Sequence, residues 1–109
     1  MRKLAMVMAM LPTFAVAEDW RALSGPEITT ALSARELVYE DGTRQSFKAN
    51  GATYYGDTTG SWRIEEGQYC SVWPPSDRWA CYGVEVNGLD IRFVATDGSA
   101  TAGRYDDLN

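Results

Sequence analysis

The chain has 109 residues, with 10 Lys plus Arg against 15 Asp plus Glu, two Cys and no His. That length fits one small domain and is short for a two-domain enzyme. The missing histidine argues against His-dependent triads, imidazole zinc sites and His-ligated haem, and no nucleotide-binding loop appears.

At the N-terminus, Arg2 and Lys3 precede an apolar run from Leu4 to Leu11, and Ala15-Val16-Ala17 supplies the small residues of an A-x-A cleavage site. This order predicts a secretory signal cut after Ala17, leaving residues 18–109 as a single small β domain, periplasmic or secreted. A membrane span needs about 20 apolar residues; this run is shorter and is broken at Pro12, and no Cys follows for a lipid anchor. No integral membrane segment is therefore expected after cleavage. All four Met, at 1, 6, 8 and 10, fall in the leader, so the 109 − 17 = 92 residues that follow have none. Loss of Arg2 and Lys3 moves the charge balance to 8 − 15 = −7, which disfavours nucleic acid and anionic lipid and favours cationic partners. Export would place Cys70 and Cys81 in an oxidising compartment, where pairing is expected. The loop they close stabilises by roughly 2.5 to 3 kcal/mol on a chain-entropy account.

In chain order, Ser24-Gly25-Pro26-Glu27 matches a capping box with proline in the first turn. The spacing of Ile28, Ala31 and Leu32 predicts a short helix with one apolar stripe, ending near Ser33 and packed on the end or face of a sheet. From Arg35 the period changes. Asp41-Gly42, Asn50-Gly51, Asn87-Gly88 and Asp97-Gly98 are hairpin dipeptides, and Gly60 and Gly67 mark two more breaks. Strands are predicted near 36–40, 43–49, 52–57, 60–65, 67–73, 79–86, 89–96 and 99–105. The fold class is thus mainly β: an antiparallel meander of about eight short strands, a small barrel or rolled sheet, with one short N-terminal helix. Alternation places Leu89, Ile91, Phe93 and Ala95 on one inner row, Trp62 and Ile64 on another, and Ala80, Tyr82, Val84 and Val86 on a third. By the same parity Trp79, Cys81 and Glu85 face outward, and the disulfide with them.

The densest feature runs from Tyr69 to Tyr82, where the two cysteines bracket a loop with Trp73, Pro74, Pro75, Ser76, Asp77, Arg78 and Trp79. One reading is a stapled hairpin whose tryptophans cover the barrel edge; the other is a preorganised recognition loop, with Trp73, Asp77, Arg78 and Trp79 as partner-binding residues. C-x10-C is unlike the C-x-x-C of thiol oxidoreductases and suits a structural bridge. No calcium-loop pattern occurs, so no metal and no cofactor are expected, and Asp106-Asp107 reads as a solvated tail. Glu65, Glu66, Glu85 and Asp90 offer carboxylates of the kind a hydrolase uses, but they suit a solvated outer face, and no catalytic residue is assigned. Lys48 likewise reads as surface charge. Trp62, entering a strand after Gly60, is placed to plug one end of a barrel while its indole N–H finds a backbone carbonyl. Tyr55, Trp62, Tyr82 and Phe93 form the candidate lining of an apolar-ligand cavity, should the barrel not be filled by its own side chains.

Leu37-Val38-Tyr39-Glu40-Asp41-Gly42, Gly60-Ser61-Trp62-Arg63 and Gly67-Gln68-Tyr69-Cys70 through Cys81 resemble the pattern of small secreted alphaproteobacterial proteins of unknown function. That resemblance implies a periplasmic β domain and assigns no activity. Size, export, acidity and Gly103-Arg104-Tyr105 are also similar, more loosely, to the periplasmic C-type lysozyme inhibitors, eight-stranded barrels that present a loop to a basic enzyme. The resulting expectation is a non-enzymatic, monomeric domain that binds a protein or cell-envelope component through the stapled loop. The alternatives are a carrier of an apolar ligand and a lysozyme-inhibitor-like protein.

Overall fold

The structure, a computed structural model, describes residues 19–107. The predicted leader and its cleavage site before Glu18 lie outside the described residues. The chain forms a two-residue strand β1 (Arg21–Ala22), helix α1 (Gly25–Leu32), then β2 (Arg35–Tyr39), β3 (Arg44–Phe47), β4 (Ala52–Tyr55), β5 (Thr58–Glu65), β6 (Gln68–Val72), β7 (Ala80–Asn87), β8 (Asp90–Val94) and β9 (Ala100–Tyr105). Consecutive strands from β2 to β9 pair antiparallel, and β9 returns to β2 through Gly103↔Tyr39 and Tyr105↔Leu37. The meander is therefore a closed eight-stranded barrel rather than an open rolled sheet, and its circuit leaves no free edge.

The ninth strand, β1, has no alternating pattern to announce it. It pairs with β7 at Arg21↔Val86 and Ala22↔Glu85, extended by Leu23 N–H donating to the Val84 carbonyl at 2.9 Å. Strand β7 is long enough to divide one edge between two partners: β6 takes Ala80 to Tyr82 and β1 takes the other half. Its second edge carries β8 from Gly83↔Val94 to Asn87↔Asp90.

Helix α1 starts and stops where its capping residues dictate. Ser24 Oγ accepts from Glu27 N–H at 3.4 Å and Glu27 Oε1 accepts from Ser24 N–H at 2.9 Å, so two otherwise unpaired donors are satisfied reciprocally. Ile28 and Leu32 are fully buried and turn the helix onto β2, β5 and β6. The Tyr105 hydroxyl donates to the Ala31 carbonyl at 2.7 Å, which fixes the helix to the last strand. Helix α1 thereby closes the end of the barrel where β2, β4, β6 and β8 begin.

Beneath it the interior is filled. Phe47 meets Trp62 and Tyr69 edge-on at 5.9 and 5.8 Å between ring centroids, with Leu37, Val84 and Ile91 around them. The Trp62 indole N–H donates to the Lys48 carbonyl at 3.0 Å. Leu89 departs from its expected inner row: β8 begins one residue later, so Leu89 sits in the turn and is 49% exposed.

Candidate functional site: an aromatic mouth

The other end of the barrel is open. Four loops surround it, at 40–43, 56–57, 73–79 and 95–99. Strand parity turns Tyr39, Tyr55, Tyr69, Tyr82 and Phe93 inward here, since each is two residues from an inward neighbour on its own strand: Leu37, Thr53, Ser71, Val84 and Ile91. With Trp73 they line a cavity of about 410 Å³ that opens to solvent.

Trp73 reaches the mouth because of a missing side chain. A Cβ on Gly60 would lie 2.5 Å from Trp73 Cε3 and 2.7 Å from the Val72 carbonyl oxygen, so only glycine lets the indole settle over β5. The seat is completed by Trp73 Nε1–H donating to Ser71 Oγ at 3.2 Å and by the Tyr55 ring, 6.3 Å away and edge-on.

A layer of hydrogen bonds separates cavity from core. The Tyr39 hydroxyl donates to Gln45 Oε1 at 2.5 Å, and Gln45 Nε2–H donates to Thr53 Oγ1 at 2.9 Å and to the Tyr69 hydroxyl at 3.4 Å. Thr53 Oγ1–H passes the chain on to the Ser46 carbonyl at 2.8 Å. Gln45 is 6% exposed and Thr53 not at all, so these groups depend on one another rather than on water. Burial holds the Tyr39 and Tyr69 phenols above their ordinary range, which keeps both neutral at physiological pH.

The sequence-assigned residues divide. Tyr55, Tyr82 and Phe93 stand on the cavity wall. Trp62 does not: it lies nearer the helix-closed end, packed on Phe47. Of the loop residues, Trp73 joins the wall, Asp77 and Arg78 are exposed at the tip, and Trp79 turns away to the outer surface, where the Arg63 guanidinium lies 3.9 Å over its ring. The four therefore do not make one patch. The wall also includes Tyr39, Tyr69 and Trp73, none of them in the expected cavity set.

Cys70 and Cys81 are a registered pair of β6 and β7 and form a disulfide with a Cα–Cα distance of 4.0 Å. Both have outward parity, yet Cys70 is fully buried. Glu65 Oε1 lies 3.9 Å from its sulfur, but both sulfurs are committed to the bond, leaving no thiolate to ligate a metal. Glu65, Glu85 and Asp90 are each in an ion pair on the outer wall, with Arg63, Arg92 and Arg104. Glu66 occupies the β5–β6 turn. The Asp106-Asp107 tail is a clasp rather than a solvated end. Asp107 accepts from Arg35 Nε–H and Nη2–H at 3.0 and 3.1 Å and from the Glu36 N–H at 2.9 Å, and Asp106 pairs with Arg44.

Comparisons with known protein families, curated proteins and solved structures find no match to this chain.

Proposed function

We propose that this is an exported, non-enzymatic binding protein that holds one small amphipathic molecule in the mouth of its barrel. The observation that carries this reading is the cavity itself. Small-molecule sites are typically hollows of about 300 to 1,000 Å³, mostly apolar with a few placed polar groups, and a cavity of about 410 Å³ with six aromatic side chains above neutral hydroxyls has that constitution. Export rests on the leader pattern of residues 1–17 and is compatible with the disulfide. The test is a fluorescence and calorimetric titration of the oxidised protein against small aromatic and alicyclic compounds. Binding should change tryptophan emission and be lost in Trp73→Ala, while Trp79→Ala, on the outer wall, leaves it intact. A panel without a single ligand, or equal effects of the two substitutions, overturns the reading.

A second reading has one observation in its favour. The exposed Asp77-Arg78 tip is held from both sides, by Trp73 over Gly60 and by Trp79 under Arg63, so it could meet a protein or cell-envelope partner at low ordering cost. The lysozyme-inhibitor likeness belongs here, with a basic enzyme as partner. Arg78→Ala should then weaken partner capture and spare small-molecule binding; unchanged capture sinks it.

A further inference from the structure

We propose that the guest of the mouth is a small organic cation, a quaternary or tertiary ammonium whose apolar groups sit among Tyr39, Tyr55, Trp73 and Tyr82 while carboxylates of the surrounding loops supply the counter-charge. This rests on the mouth being a small-molecule site. Two independent features of the cavity and its rim converge on it.

The first is the wall. No lining residue is charged, and six of the ten are electron-rich rings. Aromatic faces attract cations, most strongly when these are poorly hydrated. A primary ammonium would have three N–H hydrogen bonds to water to replace here, whereas a tertiary one has a single N–H and a quaternary one has none.

The second is the distribution of charge. Six ion pairs are present among the described residues, and they use Glu27, Glu65, Glu85, Asp90, Asp106 and Asp107. None of those carboxylates belongs to the mouth loops. The mouth loops hold Glu40, Asp41, Asp57, Asp77 and Asp97, and no described Lys or Arg comes within salt-bridge distance of any of them. Glu40 and Asp41 border a second hollow that shares Tyr39, Tyr55 and Thr101 with the aromatic cavity. Of the cations at this end, Arg44 is engaged by Asp106, which leaves Arg78 beside Asp77 at the loop tip. An open end with this charge draws cations in and turns anions away. A phosphate-bearing headgroup would meet that repulsion, so the guest is a free cation.

The full oxidised protein should be titrated with phenyltrimethylammonium, its neutral carbon analogue tert-butylbenzene, and benzenesulfonate, reading tryptophan emission. The cation should bind at least about tenfold tighter than the neutral analogue, consistent with a cation–π gain of that order. Its affinity should fall about three- to tenfold between about 50 and 500 mM salt and by a similar factor in the Glu40→Gln/Asp57→Asn double variant. Binding of tert-butylbenzene should respond to neither change. If the neutral compound or the sulfonate binds as well as the cation, the cationic assignment fails while the mouth stands as a small-molecule site. If the trimethylammonium group is bound only on phosphatidylcholine vesicles, the free-cation assignment fails. If none of the three alters the emission, the cationic assignment fails, and if no aromatic or alicyclic compound of the wider panel does so either, the mouth reading fails as well.

Discussion

Gly60 and Gln45 are the residues on which the mouth depends most. A methyl group at position 60 has nowhere to go, because one of its neighbours is the Val72 backbone carbonyl and the other is the Trp73 ring. Gly60→Ala should destabilise the protein by about 1–3 kcal/mol and expel Trp73 from its seat, seen as a lower urea midpoint with loss of near-ultraviolet circular dichroism. Gln45 is the shared partner of three buried groups. Gln45→Ala strands the Tyr39 hydroxyl without its acceptor and should cost about 2–3 kcal/mol, measured by equilibrium unfolding. Sequence reasoning found the inward faces of Tyr55, Tyr82 and Phe93 but put Trp62 beside them. Alternation reports which face a residue takes and is silent on its depth along the barrel. Depth is decided by which end the helix closes, a tertiary outcome, and this separates Trp62 in the core from Tyr39 and Trp73 at the mouth.

Among the elements, α1 was the most legible, since Ser24, Pro26, Glu27 and the Ile28/Leu32 stripe are local signals that the structure uses as written. Ser24→Ala should cost about 1 kcal/mol, read from thermal melts. The eight barrel strands were legible to within a few residues because their turns carry Asp-Gly and Asn-Gly pairs. In two of these turns the aspartate itself caps the backbone: Asp41 Oδ1 and Asp97 Oδ1 each accept an N–H two residues on, at 2.9 Å. Those hydrogen bonds hold both carboxyls below the usual range, and Arg35 does the same for Asp107. Their contribution is complete above the ordinary carboxylate pKa of about 4 and is lost as pH falls through the lowered values. Urea midpoints should therefore drop between about pH 5 and pH 2. Tyr39 and Tyr69 act in the opposite direction. Raised phenol pKa values give stability that is present below about 10 and is lost above it, so alkaline titration should unfold the barrel rather than ionise these two rings in place. Neither β1 nor the Asp106-Asp107 clasp was legible. A two-residue strand has no period, and Arg35 and Asp107 are brought together from 72 positions apart.

For the whole molecule, the balance between paired and unpaired charge sets the response to salt. The ion pairs of Arg21, Arg63 and Arg104 are largely exposed, a class worth about 0–1 kcal/mol each, whereas the chain carries a formal net charge of −5, whose self-repulsion opposes the compact state. Raising sodium chloride from about 20 to about 500 mM screens both, and relief of the repulsion should dominate. The melting temperature should rise; a fall would mean that the ion pairs carry more of the stability than the net charge takes away.

The way the circuit closes also governs when the protein can fold. Leu37 must find Tyr105, 105 − 37 = 68 positions later, and Arg21 must find Val86, 86 − 21 = 65 positions later. Contacts this distant in sequence make for slow folding. A chain emerging from its N-terminus can form the Arg21 pairing only once β7 is out, and the closing pairing only once β9 is. Neighbouring strands can pair as hairpins as they appear, but the sheet closes into a barrel only when β9 reaches β2.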